Sequence, residues 1–164
     1  MKKWEIMNLE ELFKRLDTPR WNDIYEIENE LRSLKIRLKL IFPYFKRTYI
    51  NSGHWQCRKF ILFHLLSYAR RSPMIVDLAV MALSDRSNKV VQDAISICAY
   101  SLQSELIPKL EVLLNHKNCE VVQSAKNAIN SIKYSNHHIY LNSNWRFGDE
   151  ILIKWEVKEQ SNYW

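Results

Sequence analysis

Five histidines, three cysteines and a group of N-terminal acids are the side chains with the most chemistry to offer. A Ser or Cys nucleophile needs a base beside it and a third group to orient that base. No GxSxG marks such an arrangement, and HExxH is absent. His137 and His138 are adjacent, so in a regular helix or strand their side chains point apart and make a poor metal pair. Cys57, Cys98 and Cys119 show no CxxC spacing and are expected to be reduced thiols in or near the core. Glycine occurs only at Gly53 and Gly148, which removes GxGxxG and GxxxxGK[ST] phosphate loops. The acids Glu10, Glu11, Glu26, Glu28 and Glu30 read as the exposed faces or first turns of helices. No catalytic residue, cofactor or metal is therefore expected. Recognition is the chemistry left.

The charge that would serve recognition is concentrated. Net charge is +6, yet residues 35–71 hold nine Lys or Arg and no acid. These are Lys35, Arg37, Lys39, Lys46, Arg47, Arg58, Lys59, Arg70 and Arg71. Such a field attracts an anionic partner, unless acids such as Glu26, Glu28 and Glu30 neutralise it within the fold.

Helices must position these residues. With 164 residues and four prolines, one domain rich in helix is expected. The N-terminus lacks an apolar run and every long apolar stretch is interrupted by Lys or Arg, so neither a signal peptide nor a membrane span is expected. A cytoplasmic monomer is the default.

Residues 75–102 repeat at 106–133 with an offset of 31. Val90-Val91-Gln92-Asp93-Ala94 falls on Val121-Val122-Gln123-Ser124-Ala125, and Leu83 on Leu114. Each unit reads as two amphipathic helices joined by a polar turn. Neither helix buries its apolar stripe alone, whereas stacked pairs share one core. The frame extends backwards through Cys57, Ile61 and Leu65, and through Asp23, Ile27 and Leu31, with Trp55 and Trp21 two residues before each start. Four pairs result, near 5–34, 35–71, 74–102 and 105–133, with Pro43 expected to break or kink a helix.

The pattern of helix, short Asp/Asn turn and V-x-x-x-A-x-x-[AI]-[ILC] resembles HEAT repeats, over roughly residues 20–133. Leu106-Ile107-Pro108-Lys109-Leu110 resembles the opening of such a unit, while Val91 and Val122 stand where many HEAT units carry Arg; Arg58 keeps it. The resemblance implies an all-α fold: a short right-handed α-solenoid over 1–134. A C-terminal cap over 135–164 would close it, irregular or a β-hairpin of 139–141 with 150–157.

In such arrays the second helices line an inner face. Helical geometry sets their +2, +3 and +6 positions opposite the buried stripe. That row reads Tyr25, Glu26 and Asn29; Lys59, Phe60 and Phe63; Gln92, Asp93 and Ser96; Gln123, Ser124 and Asn127. Its expected partner contacts are Tyr25, Asn29, Trp55, Arg58, Lys59, Gln92, Gln123 and Asn127. Aromatic and Arg anchors among uncharged polar groups suit a protein partner. The small size and lack of catalytic residues are similar to bacterial HEAT-like immunity proteins, which bind a cognate toxin. The resemblance thus implies a non-enzymatic protein-binding module that neutralises a toxin in interbacterial competition. The alternative is nucleic-acid binding related to HEAT-like DNA glycosylases, loosely echoed by Trp21, Asp23, Trp55 and Arg58, although Asp23 falls at a core-like position.

Overall fold

The computed structural model describes residues 3–143, with side-chain surroundings for 8–140. Every regular element among them is helical: α1 (Lys3–Leu16), α2 (Trp21–Ser33), α3 (Leu38–Asn51), α4 (Trp55–Leu65), α5 (Pro73–Ala82), α6 (Asn88–Ser101), α7 (Ile107–Glu111), α8 (Cys119–Lys133) and α9 (His138–Ser143). Short 3₁₀ turns at Leu66–Tyr68, Ser104–Leu106 and Val112–Asn115 extend α4 and flank α7. The chain divides into two compact units at residue 61, within α4.

In the first unit α1 packs on α2 and α3. Leu9, Leu12, Phe13 and Leu16 recur at helical spacing and are all buried, as are Ile24, Ile27 and Leu31 on α2. Phe13 packs edge-on to Phe45, with ring centroids 4.9 Å apart, and stacks on Tyr44 at 5.5 Å. Contrary to the expectation of a break, α3 continues through Pro43. Pro43 is exposed, on the side of the helix away from the core.

In the second unit α6 packs on both α5 and α8, and α8 packs also on α7 and α9. Ala94 and Ala125 are completely buried. Small side chains at these positions let the helices approach closely. The three turns that follow α2, α6 and α8 each hold a non-glycine residue at positive φ: Lys35, Leu102 and Ser135. With glycine so scarce, these residues bear a left-handed conformation that costs roughly 1–2 kcal/mol each.

Residues 138–143 form α9, not the strand expected at 139–141. Ile139-Tyr140-Leu141 is an apolar run too short to separate a strand from one helical turn. The expected partner strand at 150–157 lies outside the described residues.

Candidate functional site

The eight expected contact residues divide by exposure. Tyr25, Asn29 and Gln123 are exposed, and Trp55, Lys59 and Gln92 are half-buried. Arg58 and Asn127 are buried, and so are their neighbours in the row, Phe60, Asp93, Ser96 and Ser124. At Ser96 and Ser124 the reason is α9. Its Tyr140 is buried against the row, with Oη 2.9 Å from Ser96 Oγ. Ser124 is a second side-chain hydrogen-bond partner of the phenol. Burial pushes the Tyr140 pKa well above its ordinary value. Asn127 lies one turn beyond Ser124 on the same face of α8 and accepts from Gln123 Nε2 at 2.9 Å. Gln92 donates to Glu120 at 3.1 Å. A row that two-helix repeats would leave open is thus occupied by the chain itself.

Arg58 is closed off differently. Its guanidinium donates to the Ser52 carbonyl at the end of α3, at 2.9 Å. Around it lies a polar cluster. Ser52 Oγ donates to Asp17 Oδ1 at 2.5 Å and accepts from the His54 backbone N–H at 3.1 Å. The Cys57 thiol also hydrogen-bonds Ser52, and burial pushes its pKa up to about 12. Asp17 lies 35 positions before Ser52, and no motif flags it together with Ser52 and Cys57. The cluster is a poor nucleophile: the thiol stays protonated, and His54 joins through its backbone while its ring does not. It fastens the end of α1 to the α3–α4 turn. A shallow cleft of about 220 Å³ opens beside it, lined by Glu10, Lys14, Asp17, Arg47, Thr48 and Ser52 among others.

The first unit also carries an aromatic cluster. Trp21 opens α2, Trp55 opens α4, and Tyr25 lies one turn beyond Trp21. The Trp21 ring stacks on Tyr25 and meets Trp55 edge-on, each with centroids 6.0 Å apart. Tyr25 is 55% exposed. Trp21 marks the repeat and echoes the glycosylase-like pattern in the sequence, but is not among the expected partner contacts. Asp23, expected in the core, is instead half-exposed, 2.6 Å from Arg20 and accepting from Thr18 at 3.3 Å.

Two of the acids expected to neutralise the basic stretch have ion-pair partners outside it. Glu28 pairs with Arg32 and Glu30 with Arg15, all within α1 and α2. Arg47 reaches Glu10 at 3.3 Å. Lys35, Arg37, Lys39 and Lys46 are exposed and have no ion-pair partner among the described residues.

In the second unit Arg70 donates from Nε to the Tyr100 carbonyl at 2.9 Å and lies over the Tyr100 ring at 4.5 Å. Its Nη2 is 2.6 Å from His137 Nδ1. The His137 and His138 rings lie 4.1 Å apart and do not diverge as a regular element would require. His137 precedes α9 in a turn, which frees it from helical geometry. Burial first, then the nearby Arg70 cation and His138, lower the His137 pKa to about 4. Its Nδ1 is therefore an unprotonated acceptor for Arg70 at neutral pH. Among the described residues no three His, Cys, Asp or Glu side chains converge as a metal site. No helix among them is long and apolar enough to cross a membrane.

No protein-family model, curated protein or solved structure matches the chain.

Proposed function

We propose that the chain is a non-enzymatic binding module that grips a protein partner through its first unit. The observation that carries this reading is the Trp21–Tyr25–Trp55 cluster, three touching rings with Tyr25 largely in solvent. Large aromatic rings supply most of the energy at protein interfaces, because they bury much area for little lost side-chain freedom. Three polar side chains with chemical potential are engaged internally: Ser52 by Asp17, Ser96 by Tyr140, His137 by Arg70.

A short HEAT-like solenoid remains the architecture we infer for the repeats. Supporting it, the second helices of the four pairs begin at Trp21, Trp55, Asn88 and Cys119, spaced 34, 33 and 31 residues apart. The toxin-neutralising role rests on the resemblance to immunity proteins alone. The glycosylase-like alternative draws less support, since Asp23 is ion-paired and Arg58 is turned inwards.

The test is co-purification with tagged wild-type chain from its native cells, compared with Tyr25→Ala and Trp55→Ala. Each variant is expected to weaken the complex about tenfold or more while the fold is retained. A partner held equally by all three chains overturns the reading.

A further inference from the structure

We propose that the outer face of α3 docks on an acidic protein surface through a cationic strip with two aliphatic anchors. This rests on the reading that the partner is a protein, and it assigns that partner's chemistry. At 100° per residue, Lys39, Pro43, Lys46 and Ile50 fall within an arc of roughly 60°, with Arg47 and Leu40 along one edge. All six are exposed. Ile41, Phe42, Phe45, Thr48 and Tyr49 occupy the opposite, buried side. Lys35 and Arg37 lead into the same helix.

Two independent features point to the occupant. The first is charge: Lys35, Arg37, Lys39 and Lys46 lack ion-pair partners among the described residues, and no acid occurs within residues 35–71. Crowded like charges repel one another, and carboxylates on a partner relieve that repulsion. The second is apolar area: Ile50 is 56% and Leu40 41% exposed amid the cations. A phosphate backbone gains nothing from covering them, and the arc offers no aromatic ring on which a base would stack. Tyr44, at its margin, is already stacked on Phe13. A lipid surface needs a broad apolar face, and that of α3 is turned to the core. An acidic protein patch with an apolar centre uses both features.

The experiment measures fluorescence anisotropy of three labelled probes with the full chain at low salt. The probes are a peptide of about 20 residues alternating Glu-Glu with Leu, a single-stranded RNA and a duplex DNA of about equal length. The peptide is expected to bind. Lys39→Glu/Lys46→Glu should weaken it about tenfold, and Leu40→Ser/Ile50→Ser about threefold. Lys39→Gln/Lys46→Gln should fall between wild type and the charge reversal, and guards against a folding defect. No peptide binding, or binding indifferent to Lys39 and Lys46, overturns the proposal. Nucleic acid bound at least as tightly, with Leu40 and Ile50 irrelevant, gives the strip to phosphate and also overturns it. If the natural complex is lost with Tyr25→Ala but kept with Lys39→Glu/Lys46→Glu, only this inference fails. If neither matters, the protein-binding reading fails with it.

Discussion

Tyr140 Oη sits 2.9 Å from Ser96 Oγ, joining α9 to a residue 44 positions earlier on α6. The contact explains why polar side chains on the second helices are shut away. Ser96 and Ser124 supply hydrogen bonds to a phenol that burial would otherwise strand without water. This end of the second unit is stapled by a polar bond laid over an apolar core.

Tyr140→Phe is expected to lower stability by about 1–2 kcal/mol, because it leaves buried hydroxyls short of a partner. Thermal or urea unfolding checks it. Ser96→Ala should cost a similar amount, and the double variant less than the two together, since the residues share one interaction.

Ser135 occupies the left-handed position of a complete Schellman turn after α8. Its N–H bonds the Ile132 carbonyl at 3.1 Å, and the Asn136 N–H bonds the Ser131 carbonyl at 2.9 Å. Glycine adopts this conformation without steric cost. Ser135→Gly should therefore raise stability by about 1 kcal/mol, read as a higher unfolding midpoint. A lower midpoint contradicts the turn geometry.

Stability should fall as the pH drops from 6.5 towards 4. The folded chain holds His137 neutral down to about pH 4, whereas the unfolded chain protonates it near 6.5. Above 6.5 both states carry neutral imidazole and the contribution is complete. Below it the unfolded state binds the extra proton, at roughly 1.4 kcal/mol per pH unit. His137→Gln, which keeps an acceptor for Arg70, should flatten the curve between pH 6.5 and 5. Equal slopes for both chains would remove His137 as the cause.

Thiol labelling should separate the cysteines. Cys119 is exposed, while Cys57 and Cys98 are buried with pKa values pushed up to about 12. One thiol per folded chain should react promptly with a disulfide reagent at neutral pH, and three only after unfolding. Cys119→Ser should abolish the prompt reaction.

Much of the fold was legible because its signals are periodic. Val90, Ala94, Val121 and Ala125 mark buried stripes that alternate with polar turns, and the structure buries all four completely. Cys57, Ile61 and Leu65 carried the same frame into α4, where they too are fully buried. The surface was legible only in part. A repeat pattern shows which face a helix turns to its neighbour within the pair. It is silent on a later segment crossing the other face, so the burial of Ser96 and Ser124 against Tyr140 is not encoded in it. Arg58 misled for another reason: a long cation suits a surface, yet here a helix-end carbonyl draws it inwards. The meeting of Asp17, Ser52 and Cys57 depends on how α1 packs against the α3–α4 turn, which no local spacing encodes.

The most direct measurement is hydrogen–deuterium exchange of the chain alone and in complex with its co-purified partner. The account predicts that protection is gained over residues 21–29 and 35–55, which carry the aromatic cluster and the α3 strip, with little change over 88–133. Protection confined to 88–133, with Tyr25 and α3 exchanging as in the free chain, would contradict it.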